Sequence, residues 1–152
     1  MSRETGIYNA LDVARYVIRK SVDIGKPIDQ LKLQKILYYI QASFLVKKDK
    51  VCFCDPILAW RFGPVVESVY RCYNKYSSMN LYPDRKDGIN IIDEDVRIMD
   101  AVIDKYKNKT AWYLVEQTHK EKPWLDTAQS DTILIDDIKE YYSKEGKGSI
   151  CS

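Results

Sequence analysis

The sequence predicts a mainly α-helical fold: a compact single-domain bundle of about six helices around a central helix, with a short β element near residues 51–62. Three observations lead to it. Apolar residues recur at three-and-four spacing along most of the chain, one segment is apolar on two flanks, and only residues 51–62 are short, aromatic and interrupted by proline. At 152 residues the chain is long enough to bury one core.

Composition places the chain among ordinary globular proteins. It is 45% hydrophobic and 30% charged, with a formal net charge of +2. No segment approaches the roughly 18 consecutive apolar residues of a membrane span, and the N-terminus lacks the apolar core of a secretory signal. We therefore expect a cytoplasmic protein with no membrane contact.

The four cysteines are expected to be free thiols, because the cytosol keeps thiols reduced. They are Cys52, Cys54, Cys72 and Cys151. Cys52 and Cys54 would face the same way on a strand and could ligate a metal, but no second close pair of Cys or His completes a tetrahedral set. The sequence predicts no metal and no cofactor.

The first two helices are defined by their apolar spacing. In the first, which starts near Asn9 and ends near Gly25, the apolar positions are Ala10, Val13, Ala14, Val17 and Ile18. Asp29 is expected to cap the second helix after Lys26-Pro27. One stripe of this helix comprises Leu33, Ile36, Leu37, Ile40 and Phe44, and the other comprises Leu31, Tyr38, Ala42 and Leu45. A helix apolar on two flanks is packed from two directions, so we expect it at the centre of the fold.

Polar residues of this central helix separate into two groups. Gln34 and Gln41 lie in line between the stripes, so we expect them to be partly buried and hydrogen-bonded. We predict that one of them meets the Thr118-His119 end of a later helix. The remaining side, expected to face solvent, contains Lys32, Lys35 and Ser43. The lysines at 47, 48 and 50 are expected to be solvated and to complement the helix dipole.

The segment "DPILAWRFGPVV" is predicted to be extended. Gly63-Pro64 should end it and place Pro64 at the first position of a helix. Because side chains alternate across a strand, Trp60 and Phe62 should face the core and Arg61 should point outward.

The later segments complete the bundle. A helix follows with its stripe at Val66, Val69, Tyr70, Tyr73 and Tyr76. Residues 77–92 are predicted to form a loop, Asp93 to cap a helix, and Thr110 to open a shorter helix closed by Lys122-Pro123. Residues 123–131 should form a tight helical turn, and a last helix should present Ile135, Ile138, Tyr141 and Tyr142. The predicted domain is 1–144, and residues 145–152 are predicted to be a flexible tail.

Three segments together resemble the Panacea domain of SocA-like and phage-associated proteins. They are "LKLQKILYYIQA" at 31–42, "DPILAWRFGPVVESVYRCY" at 55–73 and "THKEKPW" at 118–124, in the same order and at similar spacing. The positions that carry the resemblance are Leu33, Gln34, Lys35, Tyr38, Tyr39, Trp60, Arg61, Gly63, Pro64, Val65, Tyr70, Thr118, His119, Pro123 and Trp124. Phe62 departs from it, since a tyrosine is as frequent there.

The resemblance implies a mainly helical antitoxin domain that neutralises a cognate protein toxin by direct binding. One branch of the family resembles an adaptor that delivers the toxin to a cellular protease. Which of the matching positions touch a toxin is not implied, so each is either structural or partner-binding. The tyrosine content suits a binding surface, because tyrosine is enriched at interfaces.

Two other classes of function are open. An enzyme would centre on Thr118, His119 and Glu121, with His119 as a general base. However, no G-x-S-x-G turn or phosphate-binding glycine loop is present, and the position of His119 in line with Val115 and Trp112 favours an inward structural histidine bonded to backbone or to a central glutamine. We therefore expect no enzymatic activity.

The second alternative is a nucleic-acid-binding regulator. Its cations would be Arg61, Arg71, Lys75 and the lysines of residues 47–50. The net charge of +2 is small for such a protein, and nucleic-acid binding is not expected.

Overall fold

A computed structural model of the chain describes residues 8–84 and 88–146, without the side chains of 145 and 146. This part of the chain contains seven α-helices and one β-hairpin, which confirms the predicted mainly α fold. The helices are α1 (Ala10–Asp23), α2 (Gln30–Lys48), α3 (Glu67–Tyr73), α4 (Asp93–Tyr106), α5 (Ala111–His119), α6 (Lys122–Leu125) and α7 (Ile135–Tyr141). The strands are β1 (Ile57–Trp60) and β2 (Gly63–Val66). A 3-10 turn at Asn74–Tyr76 and a π-helical turn at Tyr142–Gly146 extend α3 and α7. Within the described residues, no helix is both long and apolar enough to cross a membrane.

Helix α1 forms as predicted. The Asn9 side chain accepts a hydrogen bond from the Leu11 amide and caps the helix. All five predicted apolar positions are buried. The helix ends at Asp23 with Ile24 as its C-cap, and Gly25 follows in the left-handed region with φ of 75°, where glycine carries no steric penalty.

Helix α2 is central, which confirms the prediction from its two apolar flanks. The Asp29 side chain caps it by accepting from the Lys32 amide at 2.9 Å. The helix packs against α1, α3, α4, α5, α7 and β2. Both apolar stripes are buried apart from Leu31, which is half-buried.

The predicted solvent side of α2 is wrong. Lys35 is 0% exposed, Ser43 1% and Lys32 8%. The elements packed around α2 cover this side as well. The periodicity of the sequence shows which residues share a side of the helix, but it does not show whether another element covers that side. The Lys32 amine donates to the backbone carbonyls of Lys107 and Lys109, just after α4.

The prediction that Gly63-Pro64 ends the extended segment and begins a helix is wrong. Both residues lie in β2, where Pro64 pairs with Ala59 and Gly63 with Trp60, and the next helix begins only at Glu67. Pro64 is tolerated because β2 is an edge strand, and an edge position needs no amide donor. The other edge of β1 bonds to residues 130–133, through the Ala59 amide to the Asp131 carbonyl among others.

The chain reverses at Arg61-Phe62, two residues before the predicted joint. Side-chain alternation stops in the turn, so Phe62 is 42% exposed instead of facing the core. Trp60 is half-buried, and Arg61 is exposed as predicted.

A polar link joins the N-terminus of α4 to the C-terminus of α2. Asp95 is 1% exposed and accepts from the Lys48 amine at 2.7 Å and from the Tyr8 hydroxyl at 2.6 Å. Lys48 is therefore an ion-pair partner and not a freely solvated lysine. The prediction that Asp93 caps α4 is wrong. Asp93 is the first residue of the helix, and Ile92 occupies the cap position.

The last helices pack on the other side of α2. Thr110 caps α5 by accepting from the Tyr113 amide, as predicted. Helix α5 ends at His119, and Pro123 lies within the first turn of the separate helix α6. Of the predicted flexible tail, residues 147–152 lie outside the described residues.

The cysteines do not behave as a strand pair. Cys52 is buried and Cys54 is exposed, so their side chains do not face the same way. Cys72 is exposed, and Cys151 lies outside the described residues.

Candidate functional site

The three sequence motifs meet at the hairpin, and helix α2 holds one of its strands. The Gln34 side-chain oxygen accepts from the Val66 amide at 2.8 Å. The Lys35 amine donates to the Pro64 carbonyl at 3.1 Å. Two adjacent residues of the central helix therefore bind the β2 backbone at Pro64 and at Val66.

Helices α5 and α6 hold the other strand and the turn. The His119 Nε2 lies 2.9 Å from the Arg61 carbonyl, and the Trp124 indole N–H donates to the Trp60 carbonyl at 2.8 Å. A carbonyl only accepts, so this geometry requires the hydrogen of the imidazole to be on Nε2. The two rings stack with centroids 4.1 Å apart, which fixes both donors in place.

Gly63 fills the gap between these two sides. Its φ is 104°, and an added Cβ would lie 2.6 Å from Lys35 Cε and 2.7 Å from Thr118 Oγ1. Thr118 is 0% exposed and donates to the Val115 carbonyl. Only glycine fits this position. We call the set Gln34, Lys35, Gly63, His119 and Trp124 the hairpin clasp.

The predicted contact between a central glutamine and His119 is wrong. Gln34 binds Val66 and Gln30, and Gln41 binds the backbone of the segment after α2, accepting from the Cys52 amide at 2.7 Å. His119 instead contacts backbone, the other partner that the prediction allowed, through the Arg61 carbonyl. His119 is half-buried, and Trp112, predicted to share its inward stripe, is 54% exposed.

Lys35 carries a buried amine. Burial lowers the pKa of its amine to about 7, although the nearby Asp29 carboxylate opposes this shift. Within the described residues the amine forms no ion pair, and the Pro64 carbonyl is its hydrogen-bond partner. Its aliphatic stem lies directly beneath Gly63.

Glu121 belongs to a cluster of tyrosines and not to His119. Its carboxylate accepts from the Tyr39 hydroxyl at 3.0 Å and from the Tyr142 hydroxyl. Burial raises the pKa of Glu121 to about 7, even though the tyrosine hydrogen bonds act to lower it. The cluster fixes α6 and the end of α7 to the central helix. No sequence signal marked this contact, which joins residues 82 positions apart.

The rings of the motif tyrosines pack against neighbouring side chains. Tyr38 and Tyr39 are 0% and 1% exposed, and Tyr39 stacks on Tyr106 at 4.8 Å. Tyr70 packs edge-on against Trp60 with centroids 4.9 Å apart. Pro123 is buried in α6.

Two surface cavities flank the clasp. One, of about 400 Å³, has Lys35 in its lining and opens between Leu31, Trp60, Phe62 and Tyr70. The other, of about 350 Å³, lies between α6 and α7 and is lined by Lys122, Asp126, Asp137, Glu140 and Lys144 among others. His119 is in the lining of neither cavity.

The cations of the nucleic-acid alternative do not form one surface of free charges. Arg71 pairs with Glu67 at 3.1 Å, and Lys48 pairs with Asp95 at 2.7 Å. The Lys75 amine lies over the Tyr76 ring. Arg71 and Lys48 are thus paired with carboxylates of this chain, whereas a phosphate backbone is bound by cations whose charge is not already balanced.

A small helical domain thus uses its motif side chains to hold a hairpin in place. The chain belongs to the antitoxin SocA-like, Panacea domain family, whose model matches residues 33–125. That range contains nearly all of the three motif segments.

A curated relative agrees with this family. The chain is 39% identical over 66 residues to Antitoxin SocA of Caulobacter vibrioides (strain NA1000 / CB15N). The match covers 43% of this chain and 35% of the relative's length. No solved structure gave a significant match.

Proposed function

We propose that this protein is an antitoxin that neutralises a cognate protein toxin by direct contact and without catalysis. The observation that carries the proposal is membership of the antitoxin SocA-like family over residues 33–125. The name of the curated relative, Antitoxin SocA, points the same way.

The chemistry of the motif residues supports binding over catalysis. An enzyme would need the His119 ring and the Glu121 carboxylate free to meet a substrate. Instead, His119 Nε2 bonds the Arg61 carbonyl and its ring stacks on Trp124, while Glu121 accepts from tyrosine hydroxyls. Their polar groups serve to hold the structure together.

The experiment pairs this chain with the product of the neighbouring reading frame. That product is induced alone and together with this chain, and growth is recorded. We expect growth arrest with the product alone and recovery when this chain is present. Persistent arrest despite accumulation of folded chain would contradict the proposal.

Stoichiometry separates binding from enzymatic inactivation. With purified proteins, an antitoxin that binds should abolish toxin activity at an equimolar ratio. An enzyme would inactivate a large molar excess of toxin, given time. Inactivation at a small fraction of one equivalent would therefore reject the binding mechanism.

Delivery of the toxin to a protease is the finer form of the proposal. It is tested by measuring the half-life of the toxin with and without this chain, in a host with and without its ATP-dependent proteases. A shorter half-life that depends on those proteases would support delivery. An unchanged half-life together with full rescue of growth would favour occlusion.

A further inference from the structure

Exposed aromatic residues gather at the turn of the hairpin. Phe62 is 42% exposed and Trp112 is 54% exposed, and their rings meet edge to face with centroids 5.1 Å apart. Tyr113, next to Trp112, is 38% exposed. Two large apolar rings that pack against each other in solvent are typical of binding surfaces.

Two cations lie on these rings. The Arg61 guanidinium lies 5.3 Å from the centre of the Phe62 ring, and the Lys109 amine lies 4.7 Å from the centre of the Tyr113 ring. Neither cation has a carboxylate within ion-pair distance in the described part of the chain. We call Arg61, Phe62, Lys109, Trp112 and Tyr113 the turn patch.

The turn patch is held rigidly from beneath. The backbone of its turn is fixed by His119 on the Arg61 carbonyl and by Trp124 on the preceding carbonyl. Gly63, directly after the turn, is enclosed by Lys35 and Thr118. A surface that is already ordered loses little entropy when it binds, which favours affinity.

We propose that the turn patch is the surface that binds the toxin, an inference that rests on the proposed antitoxin function. The toxin presents to this patch an acidic segment that bears an apolar side chain. The apolar side chain would pack against Phe62 and Trp112. Carboxylates would pair with Arg61 and Lys109, which supply the complementary charge. Aromatic and arginine side chains of this kind carry most of the energy of protein interfaces.

A protein fits this surface better than a nucleic acid does. In the edge-to-face contact one ring covers a face of the other, and Arg61 lies over the Phe62 ring, so fewer ring faces are open for the stacking that single-stranded nucleic acids need. The net charge of the whole chain is only +2.

The first test removes the aromatic rings. The dissociation constant of the purified chain for the toxic product encoded beside it is measured for wild type and for Phe62→Ser combined with Trp112→Ser. We expect binding roughly 100-fold weaker in the double variant. The matched control is Tyr82→Ser combined with Leu134→Ser, at positions that are 63% and 60% exposed and do not belong to the turn patch. It should bind within about threefold of wild type.

The second test reverses the charge. Arg61→Glu combined with Lys109→Glu should weaken binding by roughly 30-fold or more and slow association, because the acidic segment would be repelled. Added salt should weaken wild-type binding but not that of the variant. Arg97→Glu, at an exposed arginine on α4, is the control and should keep wild-type affinity. Circular dichroism confirms that every variant is folded.

The outcomes separate the surface from the function. If wild type binds and rescues growth but both patch variants do so equally well, the turn patch is rejected and the antitoxin function stands. If wild type neither binds nor rescues, both are rejected. If the patch variants lose binding to a single-stranded RNA 20-mer but keep binding to the toxin, the patch is a nucleic-acid surface and the proposal is overturned.

Discussion

A lysine of the central helix is fully buried beneath the hairpin. Lys35 is 0% exposed, and its amine meets a backbone carbonyl instead of a carboxylate. Burial of an amine favours its neutral form, so the pKa falls to about 7. The position nevertheless suits lysine, since the long stem fits beneath Gly63 and the amine satisfies the Pro64 carbonyl.

Stability should therefore rise with pH through this lysine. Below pH 7 the amine is charged in both the folded and the unfolded chain, whereas between pH 7 and 10.5 only the unfolded chain holds the proton. The free energy of unfolding of wild type minus that of Lys35→Met should increase by up to about 1.4 kcal/mol per pH unit in this window. Denaturant unfolding at pH 7, 8 and 9 measures it. Lys120→Met, at an exposed lysine, should show no such trend; a flat difference for Lys35→Met would refute the prediction.

The stability contributed by Glu121 should change with pH in the opposite direction. Its pKa is raised from 4.5 to about 7, so between these values the folded chain holds a proton that the unfolded chain has lost. Stability from this group is complete below pH 4.5 and is lost as pH rises to 7. Glu121→Gln resembles the protonated carboxyl. The free energy of unfolding of wild type minus that of Glu121→Gln should therefore fall by up to about 1.4 kcal/mol per pH unit in this window. Thermal unfolding from pH 4.5 to 7 tests this, with exposed Glu116→Gln as control. A constant difference would contradict it.

Gly63→Ala should be strongly destabilising, because a Cβ there meets both a positive φ and a steric contact of 2.6 Å. We expect a loss of roughly 3 kcal/mol or more from backbone strain and crowding together. Gly25→Ala is the matched control, since its φ is 75° but nothing lies within 4 Å of its added Cβ. It should cost about 1 kcal/mol. Equal losses in urea unfolding would show that the contact with Lys35 and Thr118 is unimportant.

At the scale of elements, the hairpin depends on its neighbours more than on its own ladder. Its two strands of four residues are too short to be stable alone. Helix α2 binds one strand and α5 and α6 bind the other, while residues 130–133 add a further edge to β1. The hairpin is therefore a joint between both halves of the bundle.

Gln34→Met should loosen this joint. The Val66 amide would lose its acceptor in a buried site, which costs roughly 1 to 3 kcal/mol. Hydrogen exchange should show faster exchange of the Val66 amide than in wild type, with α1 amides less affected. Gln117→Met, at a half-buried glutamine of α5, is the control. Unchanged protection at Val66 would mean that Gln34 is not its essential acceptor.

At the scale of the whole molecule, the hairpin clasp and the turn patch should be separable. We expect clasp residues to act through stability, whereas patch residues are exposed and should contribute little to it. Gly63→Ala should thus reduce growth rescue in proportion to the folded protein lost. Phe62→Ser with Trp112→Ser should reduce rescue while the melting temperature stays within about 2 °C of wild type.

Melting temperature and rescue, measured together for both variants, test that separation. Lowering the growth temperature should restore rescue to the clasp variant and not to the patch variant. Restoration of both would place the patch among the residues that stabilise the fold.

The sequence by itself determined most of the helices and the starts of three of them. The caps Asn9, Asp29 and Thr110 and the two apolar flanks of α2 depend on residues within about four positions of one another, so local pattern was sufficient. The three motifs also indicated the family and the residues that converge on the hairpin.

Only the tertiary structure decided how those residues are used. The hydrogen bonds of Lys35, His119 and Trp124 to the hairpin join positions 29 to 64 residues apart, a distance over which periodicity carries no information. The same long-range packing buries the expected solvent side of α2 and moves the turn to Arg61-Phe62. Whether a residue is buried depends on which other elements pack against its helix. The apolar pattern of a helix describes only the residues of that helix, so it does not determine burial.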